Sequence, residues 1–478
     1  VVYAADGGII VGGTTKLSET TNFPTGFDSE LEASDNFGAS IGGYYTSLDA
    51  GGVEDMVVGA SGDDDDNTNA GAVYVFFMQT DNTAASYQKI SDTTGTPVGF
   101  DLSDQDKFGS GVNTTLDIND DGVQDLLVGA QGDDDGGNAF GAVYVLFMNT
   151  DGTVDDFSKI SDSNGITFPA SQGNPYFGSA VDNTWDIDSD GVADMVVGAS
   201  GLDGDDINDG GVKIVLLDSD GTVKEEKAWI TEDDLGEEFD GDAFGFGVAG
   251  MKDVDGDTYM DIAVGAPYYP GGGTARGAVF IIFLNSDGSY KGHQTITSGT
   301  TDFKTLDDNE RFGSDIELIM DVNNDGIRDM VVGAYRNDGG ASNGHGGMYT
   351  IFLDTDGSVK GYEEIDSGAT NFVTLDASDE FAKGLGYIGD LNGDNLPDMV
   401  GGAWKDDDGD GSNSGAVYVM NLDGTDAGGG YGTETGNPPA GAGVPEFSDY
   451  MYMLTMGVCI YMLFGYGVKL QPKGMRLK

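Results

Sequence analysis

Residues 117–130 read DINDDGVQDLLVGA, an aspartate-rich loop that leads directly into a short apolar run ending in Gly-Ala. Five further stretches of the chain follow the same pattern. The six loops open at Asp49, Asp117, Asp186, Asp253, Asp321 and Asp390. Successive openings are separated by 68, 69, 67, 68 and 69 residues. So regular a period indicates a protein built from six copies of one structural unit.

Each unit carries further shared features on both sides of its loop. A Phe-Gly pair precedes the loop, and an acidic stretch followed by Gly-Ala-Val-Tyr-Val, or a related run, comes after it. The pairs begin at Phe37, Phe108, Phe177, Phe244, Phe312 and Phe381, the last of which is followed by Ala382. The apolar runs are short and bounded by Gly, Asp and Asn, which is typical of about four antiparallel strands per unit. We therefore predict an all-β fold for residues 1–425, a β-propeller of six four-stranded blades.

The two ends of the repeat region predict how the ring closes. The last unit ends at residues 419–424 and lacks the outer strand that reads QKIS at residues 88–91 in the first unit. Residues 15–18, TKLS, supply a matching strand from the N-terminus. Residues 8–11, GIIV, resemble the Gly-Ala-Val-Tyr-Val run, so a seventh, partial blade stays open as an alternative.

Five of the six loops share a spacing that predicts metal binding. Asp or Asn stands at loop positions 1, 3, 5 and 9, and the backbone carbonyl of position 7 completes a set of oxygen ligands suited to Ca²⁺. The candidate ligands, taken loop by loop, are Asp117, Asn119, Asp121, Val123 and Asp125; Asp186, Asp188, Asp190, Val192 and Asp194; Asp253, Asp255, Asp257, Tyr259 and Asp261; Asp321, Asn323, Asp325, Ile327 and Asp329; and Asp390, Asn392, Asp394, Leu396 and Asp398. Carboxylates packed this closely repel one another unless a cation lies between them. We expect about five Ca²⁺ ions, one for each such loop.

Two comparisons within the sequence refine this expectation. An EF-hand would place Glu at position 12 and a helix after it, whereas Val128 and its counterparts lie in strand-like runs. The loop of the first unit, Asp49 to Asp55, is two residues shorter and lacks the middle ligands. We therefore predict that the first blade binds no metal at this position.

The composition limits the classes of function. The 84 Asp and Glu against 21 Lys and Arg give a formal charge of −63, and only 16 of the acids are Glu. An excess of Asp over Glu favours cation loops and tight turns over a generic acidic surface. Nucleic acid is not expected as a partner, because no basic stripe is available to neutralise phosphates. The single cysteine, Cys459, excludes an intrachain disulfide.

The Phe-Gly pairs, the DxDxDGxxD loops and the Gly265-Ala266-Pro267 triplet resemble the FG-GAP repeats of integrin alpha-subunit propellers and their microbial relatives. The resemblance covers residues 7–424. It implies a propeller, usually of seven blades, with calcium in hairpin loops on one face. It also implies adhesion or ligand recognition, although the repeat motifs do not identify the residues that contact a ligand.

The C-terminal residues predict a tether. Residues 426–447 form a Gly/Thr/Pro-rich linker ending in VPEF, residues 448–468 a hydrophobic helix, and residues 469–478 a basic tail. Residues 450–468 carry no charge and are long enough to span a bilayer, and the basic tail favours a cytoplasmic C-terminus. The arrangement resembles the tails recognised by exosortase or archaeosortase enzymes. A start at Val1 without Met fits an exported, mature chain.

These features favour a membrane-tethered protein on the extracellular face of the cell envelope that binds a surface protein or glycan. A self-assembling subunit of a surface layer or appendage, whose partner is a copy of itself, stays open. Enzymatic function is not expected: the two histidines, His293 and His345, lie in Gly-rich stretches that predict loops, without a partner motif. Paired carboxylates would suit a glycan-acting enzyme, but metal ligation accounts for them better.

Overall fold

The computed structural model describes residues 9–424, with gaps at residues 19–20, 25, 28–29, 44–46, 50, 65–66, 170–172, 204–207, 238–239, 324, 338–343, 394–395 and 408–412. Six antiparallel sheets of four strands follow one another along the chain. Each unit of the sequence repeat corresponds to one sheet, so the described residues form a six-bladed β-propeller. The linker, hydrophobic helix and basic tail predicted for residues 426–478 lie outside the described residues.

The described residues form 24 strands, which are numbered in chain order. The strand that closes the ring is β1 (Ile9–Leu17). Blade 1 contains β2 (Phe37–Gly43), β3 (Met56–Ala60), β4 (Ala72–Met78) and β5 (Ala84–Ile90). Blade 2 contains β6 (Phe108–Thr114), β7 (Leu126–Ala130), β8 (Ala142–Met148) and β9 (Val154–Ser161). Blade 3 contains β10 (Phe177–Trp185), β11 (Asp194–Ala199), β12 (Gly211–Leu217) and β13 (Val223–Ile230).

The second half of the ring repeats this order. Blade 4 contains β14 (Val248–Met251), β15 (Asp261–Ala266), β16 (Ala278–Leu284) and β17 (Tyr290–Thr297). Blade 5 contains β18 (Phe312–Leu318), β19 (Met330–Ala334), β20 (Gly347–Leu353) and β21 (Val359–Asp366). Blade 6 contains β22 (Phe381–Tyr387), β23 (Asp398–Ala403), β24 (Ala416–Gly424) and β1. A single short helix, α1 (Glu232–Leu235), interrupts the strands of the described chain.

The ring closes through blade 6, as residues 15–18 predict. Strand β1 pairs antiparallel with β24, so that Lys16 lies opposite Tyr418. The Lys16 ammonium lies 2.6 Å from a carboxylate oxygen of Asp406. Lys89 contacts Asp63 in the same way in blade 1, so β1 supplies the side chain that an outer strand carries elsewhere. The alternative of a seventh, partial blade is wrong, because Ile9 to Leu17 form one continuous strand of blade 6.

The Phe-Gly pairs connect neighbouring blades. The Phe108 N–H donates to the Ala70 carbonyl of the preceding blade at 2.8 Å, and the Phe108 side chain is fully buried. Gly109 has a φ of 85°, and a Cβ there would lie 2.5 Å from the Ala72 carbonyl oxygen. The pair therefore needs an aromatic ring for the core and a residue without a side chain for the close approach. Blade 6 departs from this rule, because Ala382 adopts a φ of 62° at its position.

No helix among the described residues is long and apolar enough to cross a membrane.

Candidate metal loops

All six aspartate-rich loops lie on one face of the propeller. Each joins the innermost strand of a blade to its second strand; in blade 2 the loop follows β6, which ends at Thr114, and precedes β7, which begins at Leu126. Because every blade repeats this connection, the loops share one end of the strands. We call this end the loop face.

The aspartate at position 9 is the most buried residue of each loop. In blade 2, Asp125 is inaccessible to solvent, and its two carboxylate oxygens accept hydrogen bonds from the N–H groups of Ile118 at 2.9 Å and Met148 at 3.1 Å. These bonds connect the loop to the end of the third strand. Blades 3, 4 and 5 repeat the pair of bonds through Asp194, Asp261 and Asp329. We call this residue the clasp aspartate.

Burial makes the clasp aspartates weaker acids than an exposed aspartate. It raises the pKa of Asp125, Asp194 and Asp261 to about 7 and that of Asp329 to about 8, although the backbone N–H groups act in the opposite direction. The neighbouring aspartates of each loop add a smaller repulsion. The charged clasp is therefore costly without a nearby cation, and a bound divalent ion would offset both causes.

The first aspartate of each loop folds the chain around the site. In blade 2 the Asp117 carboxylate accepts hydrogen bonds from the N–H groups of Asp121 at 2.9 Å and Gly122 at 2.7 Å. Gly122 needs a φ of 92° for this turn. Blade 4 makes the same turn with Thr258, a residue other than Gly, at a φ of 80°.

In two blades the structure brings three predicted ligands together. Carboxylate oxygens of Asp186, Asp188 and Asp194 lie within 4.8 Å of one another in blade 3. The group Asp253, Asp255 and Asp261 does the same in blade 4. A set of carboxylate oxygens converging at this range suits a hard cation such as Ca²⁺. The residues present therefore fit calcium.

The other three predicted sites differ in detail. In blade 2 the Asn119 amide donates to Asp121 at 2.9 Å. In blade 5, the Asp325 carboxylate accepts a hydrogen bond from the Ile327 N–H at 2.9 Å and also contacts Lys360. In blade 6 the Asp398 clasp binds the Leu391 N–H at 2.8 Å, whereas Asp394 lies outside the described residues.

Lysines enter three of the loops, a feature that the sequence reasoning missed. Lys224 contacts Asp188 at 2.6 Å and Asp190 at 2.5 Å, and Lys291 contacts Asp255 and Asp257, each at 2.5 Å. Lys360 contacts Asp325 at 2.9 Å. Each lysine comes from the outer strand of the same blade, 34 to 36 residues away. Only the pairing of the strands brings them to the loop.

Blade 1 retains the clasp without the ligands. Asp55 accepts hydrogen bonds from the N–H groups of Leu48 at 2.8 Å and Met78 at 2.9 Å, and burial raises its pKa to about 6. Asp49 accepts from the Gly51 N–H at 2.6 Å. The shortened loop thus performs the same structural task, although its sequence has no counterparts of the ligands that blade 2 carries at positions 3 and 5.

The opposite face carries a cavity at the mouth of the central channel. Its volume is about 420 Å³, and it is lined by residues within or just before the innermost strands and by residues that follow the second strands. Among the described residues that line it, none is Asp or Glu, whereas two are lysines, Lys107 and Lys383. Trp404 and Phe246 contribute aromatic surface. In so acidic a chain, the described lining of this cavity is aromatic and free of carboxylates, and Lys107 supplies its cation, because burial lowers the pKa of Lys383.

Two aspartates of the innermost strands connect the blades around the axis below this cavity. Asp182 of β10 is buried, and it accepts from the Asn113 amide of blade 2 at 2.6 Å and from the Gly250 N–H of blade 4 at 2.7 Å. Asp315 accepts from the Leu385 N–H of blade 6 at 2.7 Å. Removal from water raises the pKa of Asp182 to about 7 and that of Asp315 to about 6. Their hydrogen bonds assign them to the assembly of the ring.

The histidines need one correction. His293 lies on β17, not in a loop, and its Nδ1 is 2.8 Å from the Tyr290 hydroxyl. The glycine at position 292 indicated a loop, but Gly292 occupies a strand position opposite Phe283, and His293 follows it in the same strand. Burial lowers the pKa of His293.

The sequence of this chain is also similar to those of known proteins. The FG-GAP repeat family matches residues 108–146 and 244–282, which begin at the Phe-Gly pairs of blades 2 and 4 and extend into their third strands. Integrin alpha-6 from Gallus gallus is 32% identical over 202 residues, which are 41% of this chain and 16% of that protein. Integrin alpha-11 from Homo sapiens is 35% identical over 159 residues, 32% of this chain and 12% of that protein.

Phosphatidylinositol-glycan-specific phospholipase D from Bos taurus is 30% identical over 178 residues, 36% of this chain and 20% of that enzyme. The chain thus matches no more than a fifth of the length of these relatives. Among solved structures, a member of the duf4221 family from Bacteroides vulgatus aligns with 88% of this chain and 99% of its own, with 8% identity and a TM-score of 0.39. The family match and the similarity to integrin alpha subunits show that the chain contains FG-GAP repeats in a β-propeller similar to those of integrin alpha subunits.

Proposed function

We propose that this protein is a calcium-stabilised propeller that acts in adhesion or ligand recognition at a cell surface. The observation that carries the proposal is the set of loops on one face, each ending in a buried clasp aspartate, which in blades 3 and 4 lies within 4.8 Å of two further loop carboxylates. The similarity to integrin alpha subunits supports the surface role. Anchoring through residues 450–468, with the propeller outside and the C-terminus inside, belongs to the same proposal.

Calcium has a structural role in this proposal. The ion would take the oxygens of positions 1, 3, 5 and 9 and the carbonyl of position 7 in the loops of blades 2 to 6, giving about five ions. It would compensate the buried clasp carboxylate and hold the loop against the ends of the strands. Blade 1, without the middle ligands, would take none.

Ligand recognition would use the cavity at the channel mouth, on the face opposite the loops. Lys107 and the absence of carboxylates from the described lining favour an anionic group, and Trp404 and Phe246 offer flat apolar surface of the kind that packs against sugar rings. An acidic glycan, such as a uronic acid oligomer, combines both features. The loop face would then serve stability, and the cavity face would serve binding.

The first test is the thermal unfolding of the full chain with calcium and with a chelator, together with a count of bound ions by equilibrium dialysis. Calcium should raise the melting temperature, by an amount that grows with free calcium according to mass action. An unchanged melting temperature would overturn the calcium proposal. Particle size in the same samples separates a monomeric receptor from a self-assembling subunit.

A second test addresses recognition at the cavity. Binding of uronic acid oligomers and of neutral oligomers of equal length is compared for the wild type and for Lys107→Gln. We expect selective binding of the acidic oligomer that the substitution weakens, with Lys227→Gln, on an outer strand, as the charge-matched control. Equal binding of acidic and neutral oligomers, or no effect of Lys107→Gln, would exclude this cavity as the binding site.

A further inference from the structure

The outer strands of all six blades share one irregularity of register. In blade 3, Leu216 pairs with Glu225 and Leu217 with Val223, so Lys224 is left over as a bulge. Every other blade has a bulge at the equivalent place. From blade 1 to blade 6, the bulge residues are Ala85, Asp155, Lys224, Lys291, Lys360 and Gly12. A bulge redirects a side chain, and here it does so beside the metal loop of the same blade.

The lysines at this position occupy the oxygens that a metal ion would use. Lys224 holds one carboxylate oxygen, Oδ2, of both Asp188 and Asp190, and Lys291 does the same for Asp255 and Asp257. These aspartates stand at loop positions 3 and 5. The Oδ1 of Asp190 is already bound to the Val192 N–H at 2.8 Å. An incoming cation must therefore compete with the ammonium group for Asp190.

The three remaining blades have no cation at the bulge. Blade 2, which has a complete loop, carries Asp155 there, and blade 6, also with a complete loop, carries Gly12. Blade 1 has the small Ala85, and its loop lacks the middle ligands. The side chain at the bulge therefore ranges from positive through neutral to negative among the loops that have a full set of ligands.

We infer that the bulge residue of the outer strand sets the calcium affinity of the loop in its own blade. This inference rests on the proposed calcium binding. A lysine serves as a built-in cation that neutralises the loop when calcium is scarce and lowers its affinity for the ion. Asp155 does the opposite in blade 2, because its charge adds to that of the loop.

The charges give an order of affinity. Blade 2, with three ligand aspartates and an acidic bulge residue, binds calcium most tightly. In blades 3 and 4 the lysine is partly offset by a fourth aspartate at position 3. Blade 5 combines Asn323 with Lys360 and is the weakest site. The propeller would thus load its ions in steps as calcium rises, starting from blade 2.

Blade 4 permits a direct measurement. Tyr259 stands at its loop position 7 with 42% of its surface exposed, so it can sensitise the luminescence of a terbium ion bound in that loop. Terbium is titrated into the full-length wild type and into Lys291→Met, which keeps the apolar stem and removes the charge. The variant Tyr259→Val, with the residue found at this position in blades 2 and 3, defines the signal from other sites.

We expect Lys291→Met to bind terbium on the order of tenfold more tightly, the effect of removing one unit charge a few ångströms from a multivalent ion. Lys227→Met controls for net charge, because Lys227 contacts Glu225 of its own strand and, among the described residues, no aspartate of a metal loop. It should leave the titration unchanged. The reverse variant, Asp155→Lys, should remove one tightly bound calcium from the count obtained by equilibrium dialysis at low free calcium.

The outcomes separate the inference from the function on which it rests. If the wild type gives no terbium signal dependent on Tyr259, the calcium function of this loop fails. If that signal is present but Lys291→Met binds with equal or lower affinity, the lysine does not compete with the ion and the inference is wrong. Competition by calcium at each titration end point confirms that both ions use the same site.

Discussion

The loops of blades 1 and 2 differ in length and in ligands, yet they end in the same structure. Asp55 and Asp125 each accept two backbone hydrogen bonds, one from the start of the loop and one from the end of the third strand. Both side chains are almost completely buried. The two-bond clasp therefore forms whether or not the loop carries the other predicted ligand positions, which are absent from blade 1.

The largest expected effect comes from removing the clasp itself. Asp125→Ala and Asp55→Ala each leave two buried N–H groups without an acceptor, which should lower the free energy of unfolding in chelator by about 2–5 kcal/mol. Chemical denaturation monitored by tyrosine and tryptophan fluorescence measures the loss. Asp101→Ala, at an exposed position between strands, should change it by less than about 0.5 kcal/mol.

Measuring calcium binding by the same two variants tests whether the loops of blades 1 and 2 differ in their ability to bind the ion. Asp125→Ala should also lose one bound ion, whereas Asp55→Ala should keep the wild-type count. If only Asp125→Ala destabilises the protein in chelator, the two clasps are not equivalent and the shared role assigned to them is wrong.

A smaller effect concerns pH and blade 1 alone. Burial raises the pKa of Asp55 from 3.8 to about 6, so the folded protein binds this proton more tightly than the unfolded chain does. The associated stability is fully present below about pH 4 and is lost as the pH rises through about 6, amounting to about 2–3 kcal/mol. The free energy of unfolding is measured from pH 4 to pH 7 for the wild type and for Asp55→Asn. The difference between the two proteins should decrease as the pH rises, and the slope of this decrease reports the titration of Asp55.

That slope distinguishes blade 1 from the other blades, because it should be the same in saturating calcium and in chelator. Asp101→Asn, which alters an exposed acid, should leave the slope of the wild type intact. A slope for Asp55 that vanishes on addition of calcium would mean that blade 1 binds the ion after all.

The smallest expected effect on stability concerns the exposed loop aspartates. Substituting them should distinguish calcium binding from a contribution to the stability of the loop itself. Asp121→Ala should change stability in chelator by no more than about 1 kcal/mol, because the side chain is exposed. It should nevertheless abolish the calcium-dependent stabilisation from blade 2. Asp49→Ala, at an exposed position of blade 1, should change stability in chelator by a similarly small amount and should leave the calcium response at the wild-type level. Differential scanning calorimetry at matched calcium concentrations measures both, and equal calcium responses of the two variants would contradict the assignment.

Much of the fold could be predicted from local patterns. The Phe-Gly pairs, the loops and the apolar runs predicted six four-stranded blades, and the match of residues 15–18 to the outer strands predicted the closure by β1. The possible seventh blade and the loop position of His293 were wrong for one reason. Short apolar or Gly-containing segments do not reveal their pairing, and only the neighbouring strand decides it.

For the candidate site, too, local features could be predicted from the sequence and long-range contacts could not. Loop ligands lie within nine consecutive residues, so their spacing in the sequence determined which side chains could share an ion. The lysines of the bulges, the hydrogen bonds of the clasp to the third strand and the aspartates that join blades at the axis involve partners 23 to 70 residues away. Strand register and burial place those partners together, so only the tertiary structure decided which loops hold a cation of their own and which carboxylates are buried.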